Sequence, residues 1–201
     1  KLTQKQKRNN PSMPRFYVDE GYVYQLQQKT KEADKAFNDA IKWSLTSEQK
    51  VLDLAAAFQV RELTNWTINT LKAGQKQFTS SGSLRIALAA AYHKAAMYSE
   101  MIDEYLLLLD NPVYGIAELQ KNMQTIMAED AEGKIGPIFR DKLLQRVQKD
   151  PSSYDYNRLL IWYYEEHGQF DRALIQSKAY DKRSKTDGDL TYDVAQICIS
   201  N

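Results

Sequence analysis

A set of small and aromatic residues recurs along this chain at a constant step, and no other feature limits the fold as strongly. Tyr17-x-x-Glu20-Gly21-x-x-Tyr24 is followed one step on by Val51-x-x-Leu54-Ala55-x-x-Phe58, and again by Leu88-Ala89-x-x-Tyr92. The small residue falls at 21, 55 and 89, which sets the period. Leu160-Ile161-x-x-Tyr164-x-x-x-Gly168 resumes the pattern after two periods plus four, counted from Ala89, and Val194-Ala195-x-x-Cys198 begins it once more. Self-similarity at such a period marks a stacked repeat, because one unit cannot bury its apolar face alone. The four extra residues are placed in Asp130–Pro137, read as an enlarged turn.

Each unit reads as two helices. Leu52, Leu54, Ala55 and Phe58, or Leu159, Leu160, Tyr163 and Tyr164, make helical stripes, and no segment sustains period-2 alternation. Helix starts are expected at Thr46, with Gln49 behind it, and at Ser152, with Asp155 behind it. Pro112 and Pro151 mark stops. Half-units of about 14 residues span roughly 21 Å, too short to be stable in isolation. A small residue at 21, 55 and 89 admits close helix approach, and Tyr24, Phe58, Tyr92 and Tyr164 are expected to be core spacers.

The chain resembles the tetratricopeptide repeat (TPR) family at these residues, best over Tyr17–Ala40 (with Ala33, Phe37 and Ala40) and Leu160–Ala173 (with Gly168, Phe170 and Ala173). The likeness is weaker in the second unit, where Thr67 and Gly74 occupy slots for small residues, and weakest from Val113 to Lys149. There Leu119, Met123, Ile126, Phe139 and Leu143 keep the apolar spacing without the small residues, so an altered packing angle is expected. The whole also looks like uncharacterised exported repeat proteins of Bacteroidetes. The resemblance implies an all-α, right-handed α-solenoid of antiparallel helix pairs. Its expected divisions are 1–13 as the tail of a preceding helix, repeats at 14–47, 48–81 and 82–115, a divergent pair with the enlarged turn at 116–153, a repeat at 154–187, and a first helix of a further repeat at 188–201. Both ends read as cut from a longer array, or else the last helix docks as a makeshift cap.

Signals for chemistry are thin. The two histidines, His93 and His167, fall in different units, and Ser80-Ser81-Gly82-Ser83 has no histidine beside it, so it reads as a turn. Gly133-Lys134 lacks the rest of a phosphate loop, and Glu129-Asp130 and Glu165-Glu166 lack the spacing of a calcium loop. Asn65-Trp66-Thr67 matches the glycosylation acceptor pattern. Cys198 excludes internal disulfides and stands in an aromatic slot, where a packed small hydrophobe is expected. No catalytic group, metal or cofactor is therefore expected. With 27 Lys and Arg against 26 Asp and Glu the charge balances at +1, which weighs against nucleic acid as a partner. No apolar run approaches the roughly 20 residues of a membrane span.

What the resemblance leaves is the concave groove. Repeat register assigns to it Arg15, Tyr22, Gln25 and Leu26; Gln49, Gln59 and Val60; Ser83, Ile86, His93 and Lys94; and Arg158, Trp162, Glu165 and Glu166. Tyr22 and Trp162 are the expected anchors, large rings with a polar tip. The clamp by which some TPR proteins hold acidic chaperone tails is not matched, since Val18, Tyr22, Asp53, Ser83 and Ala87 stand in its positions. The function so implied is a non-catalytic scaffold for a protein or peptide. The alternative is an accessory or regulatory segment of a larger enzyme or exported assembly. The compartment stays open between exported, given a signal peptide on the full-length protein, and cytoplasmic.

Overall fold

The structure, a computed structural model, describes residues 2–10, 13–110 and 113–200. Pro11 and Pro112, the latter read above as a helix stop, lie outside the described residues. Among the described residues all regular structure is helical. The chain divides into two compact units, Lys1–Leu108 and Leu109–Asn201.

The first unit contains α1 (Leu2–Asn9), α2 (Pro14–Leu26), α3 (Thr30–Ser44), α4 (Glu48–Val60), α5 (Thr64–Gln77), α6 (Gly82–Lys94) and α7 (Tyr98–Leu107). The pairs α2/α3, α4/α5 and α6/α7 make the most extensive contacts, and each pair touches the next in chain order. It is a short all-α stack of antiparallel helix pairs. Close approach within the first pair depends on Gly21: a Cβ there would overlap the Phe37 ring, 2.5 Å from Cδ1 and 2.8 Å from Cζ. Phe37 in turn meets Phe58 edge-on at 5.2 Å and Trp66 at 5.0 Å, so one aromatic cluster ties the first pair to the second. Gly74 plays the corresponding part in α5, where a Cβ would come within 2.5 Å of Val51 Cγ1.

Local geometry repeats with the sequence. Ser47, Ser81 and Ser153 cap α4, α6 and α10 (Tyr154–Glu166), each hydroxyl oxygen accepting from the backbone N–H three residues on. These caps correct the expected starts by one residue. Thr46 instead donates to Trp43 O at 3.3 Å, and Ser152 donates to Asp150 Oδ1 at 2.8 Å, so both hydroxyls serve the turn before the helix. The turns inside the pairs also recur. Gln28, Glu62, Ala96 and Gly168 all have φ between 55° and 63°, and the N–H of the following residue reaches back to the carbonyl of Tyr24, Phe58, Tyr92 or Tyr164 at 2.8–3.1 Å.

The second unit contains α8 (Ile116–Glu129), α9 (Ile135–Lys149), α10, α11 (Phe170–Ser184) and α12 (Asp189–Ser200). Here α10/α11 is the closest pair, α11/α12 and α9/α10 also pack, and α8 touches α9 only sparsely. The loop between α8 and α9 is 130–134, shorter than the enlarged turn expected from the sequence: Gly136 and Pro137 lie in the first turn of α9, where proline is tolerated. Asp130 Oδ2 accepts from Ile135 N–H at 2.6 Å and closes that loop. Asp181, buried on α11, accepts from Thr186 Oγ1, from Thr191 N–H and from Thr191 Oγ1 at 2.5–2.8 Å, and so fastens the start of α12.

Candidate interaction surface

Stacking uses up most of the aromatic and aliphatic residues. Tyr17, Phe37, Phe58, Tyr92, Phe139, Tyr163 and Tyr164 are buried, and Tyr24 is half-buried against the first cluster. What remains on the first helices of the pairs in the first unit is a different surface. Leu26 and Val60, at the ends of α2 and α4, are 69% and 82% exposed, and Ile86 on α6 is exposed as well.

Between α2 and α4 lies a hollow of about 390 Å³ lined by Arg15, Asp19, Ala57, Val60 and Arg61. Helical spacing sets its walls. Arg15, Asp19 and Tyr22 follow one face of α2 at i, i+4 and i+7, as Asp53, Ala57 and Val60 do on α4. Arg61, the residue that ends α4, donates to Asp19 Oδ1 at 2.5 Å, and its guanidinium stands 4.9 Å from the centre of the Tyr22 ring. One carboxylate and one ring thus fix Arg61. Arg15 stands exposed, 5.2 Å from the Phe16 ring, with no carboxylate paired to it among the described residues.

The other residues assigned by register fall as follows. Gln25 is half-buried at the end of α2, and Gln49 is exposed and donates to Asp53 Oδ1 at 2.7 Å. Gln59, Ser83 and Lys94 are exposed, and His93 is half-buried with its ring 6.0 Å from that of Tyr98. In the second unit, Arg158 donates to Glu165 Oε2 at 3.1 Å, and Glu166 accepts from Gln124 at 3.1 Å. The side chain of Glu165 is 9% exposed, and its Oε1 is buried without a hydrogen-bond partner. Trp162 corrects the sequence reading. It is 9% exposed and meets Phe139 edge-on at 6.3 Å, because α9 packs over it, so its area goes to the core instead of to a partner.

Register does not single out Asp19, Ala57 or Arg61. The i, i+4 placement of Asp19 after Arg15 is readable in the sequence, but its pairing with a residue 42 positions on is not. The glycosylation pattern is held in α5: Thr67 is buried and its hydroxyl donates to Leu63 O at 3.3 Å. Cys198 is half-buried. Groups with displaced titration lie off this surface, where burial pushes the Tyr92, Tyr105 and Tyr163 phenols up. Among the described residues no cluster of three or more His, Cys, Asp or Glu could hold a metal ion, and no helix is long and apolar enough to cross a membrane.

The chain is an all-α helical-repeat protein, and solved structures similar to it include TPR proteins. TTC0263, a thermophilic TPR protein of Thermus thermophilus, is 16% identical, with 92% of this chain and 99% of that one aligned at a TM-score of 0.37. YrrB, described as a TPR protein with an unusual peptide-binding site, is 11% identical over 98% of each chain at 0.38. A TPR protein of Parabacteroides merdae ATCC 43184 is 10% identical, over 90% of this chain and 72% of that one, at 0.39. No family model matches the sequence, and no curated protein matches it.

Proposed function

We propose that this protein is a non-catalytic scaffold that binds a peptide or another protein along the first helices of its pairs, the face that forms the concave groove in a TPR solenoid. One observation carries the reading. Val60 stands largely exposed on a walled hollow and Leu26 is exposed at the end of α2, in a unit whose other large apolar side chains are mostly spent on packing. Stacked pairs present such a face ready-made, so little entropy is lost on binding.

In this reading Arg15, Tyr22, Gln25, Gln49, Gln59, His93 and Lys94 line the face in the first unit, and Arg158 and Glu165 belong to the corresponding face in the second. The repeat divisions at 14–47, 48–81, 82–115, 116–153 and 154–187 are part of the proposal. The recurring cap serines at 47, 81 and 153 support them. The test screens the intact chain against a positional-scanning library of acetylated, amidated octapeptides. Val60→Asp, at a position with almost no packing role, is expected to abolish binding with the circular dichroism unchanged. Full retention of binding by this variant would refute the assignment of the face.

A further inference from the structure

We propose that the hollow between α2 and α4 takes a single acidic side chain of a bound peptide. Its carboxylate sits on Arg15, and an adjacent aliphatic residue lies against Ala57 and Val60. The inference rests on the scaffold reading above and names the chemistry of its ligand.

Three features of the hollow select that chemistry. Of its two guanidiniums, Arg61 is already held by Asp19 and Tyr22, whereas Arg15 has no carboxylate partner among the described residues. An exposed guanidinium at the rim of a concave, partly apolar site is matched by a carboxylate, which it binds through two parallel hydrogen bonds. Ala57 and Val60 supply the wall, and Val60 is 82% exposed until something covers it. The lining itself has the complementary sign: two guanidiniums, Arg15 and Arg61, stand against the one carboxylate of Asp19.

The same walls limit the ligand to one acid. Asp19 lines the hollow, and Asp53 precedes Ala57 by one turn on the same face of α4. A second carboxylate would meet one of them, and an unpaired like charge at close range is unfavourable. A run of acids is excluded on this ground. A phosphate dianion is disfavoured as well, since one free guanidinium beside Asp19 leaves its second charge uncompensated.

The octapeptide library decides the matter when it includes phosphoserine. At one position, Asp and Glu are expected to be preferred roughly tenfold over Asn and Gln, the scale of one charge-assisted hydrogen-bond pair. Leu, Ile or Val is expected beside it, and a second acid is expected to lower binding. Arg15→Gln is expected to bring the acid-to-amide ratio to one while the aliphatic preference persists. Lys72→Gln, an exposed change on α5, is expected to leave the ratio unchanged. Binding without preference for an acid overturns the inference and leaves the scaffold standing. So does a preference that survives Arg15→Gln, falls equally in Lys72→Gln, or is exceeded by phosphoserine. If no octapeptide binds the intact protein, the scaffold reading fails and this inference with it.

Discussion

Replacing Gly21 by alanine is expected to destabilise the protein by about 2 kcal/mol, although alanine is the better helix former. In a helix interior the exchange alone favours alanine by about 1 kcal/mol. Against this, the new Cβ would sit 2.5 Å from Phe37 Cδ1 and 2.8 Å from Cζ, well inside the roughly 3.5–4.0 Å at which carbon atoms rest. The ring must retreat by about 1 Å, and it has no room to do so: Phe37 is fully buried, with Phe58 at 5.2 Å and Trp66 at 5.0 Å. Overpacking of this kind costs about 1–3 kcal/mol, and the rigid surroundings place Gly21 at the upper end. Gly136 supplies the contrasting case. Apart from its chain neighbours, a Cβ there meets nothing closer than 3.6 Å, from His167 Nε2 and Tyr163 Oη, and the cost of a helical alanine before Pro137 offsets its better propensity, so Gly136→Ala is expected to fall within about 0.5 kcal/mol of wild type. Urea unfolding followed by tryptophan fluorescence reads both, through Trp43 and Trp66 in the first unit and Trp162 in the second. A loss of about 2 kcal/mol moves the midpoint by about 1 M. Phe37→Leu in the Gly21→Ala background should recover part of the loss, as a coupling energy in a double-mutant cycle. The reasoning is refuted if Gly21→Ala matches the wild type, or if the two substitutions simply add.

Ser81→Ala is expected to cost about 1 kcal/mol, because Ser81 Oγ accepts from Leu84 N–H at the buried start of α6, whereas Thr46→Ala should fall within about 0.5 kcal/mol of wild type in thermal melts. Glu62→Gly relieves a left-handed residue at φ 57° and is expected to stabilise by up to about 0.5 kcal/mol, the relief being partly offset by the freer unfolded chain; a loss of stability would contradict the turn geometry. Burial alone would push the Asp181 carboxyl up, but the hydroxyls of Thr186 and Thr191 and the backbone N–H groups of Thr191 and Leu190 outweigh it and hold the group below its ordinary value. A folded-state value below the unfolded one means that its stabilisation is complete above about pH 4 and is lost as pH falls through the lowered value. Acidification should therefore release the α12 amides to hydrogen exchange early, and Asp181→Asn should do so at neutral pH; equal protection of α12 in the variant would refute the role.

The repeat is legible because its chemistry is periodic: only a small residue fits where α2 meets α3, and Gly21, Ala55 and Ala89 announce that constraint directly. The left-handed turns are hidden for the opposite reason. Gln28, Glu62 and Ala96 carry no glycine to mark a positive φ, and the turn is imposed by the backbone bond that closes each pair. The caps fall one residue from their expected places because adjacent hydroxyls, Thr46 beside Ser47 and Ser152 beside Ser153, differ only in which turn claims each. Register locates Trp162 on its helix face but not the cover supplied by α9, whose own repeat pattern is the most diverged. The Asp19–Arg61 pair joins residues from successive pairs, and no within-repeat rule calls for it.

These differences separate two kinds of position that lie side by side. Gly21 and Arg15 share α2, yet one is closed to the smallest side-chain addition and the other is exposed. The position of Arg15 recurs one period on as Gln49 and then as Ser83, three different chemistries on one scaffold. The position of Gly21 recurs as Ala55 and Ala89, two small buried residues. Packing therefore restricts the inward stripe and leaves the outward one free to vary from unit to unit. Under the proposed scaffold function, a stack of this kind can change what it recognises without changing how it folds, and each rung of its first-helix face can differ in ligand chemistry from the next.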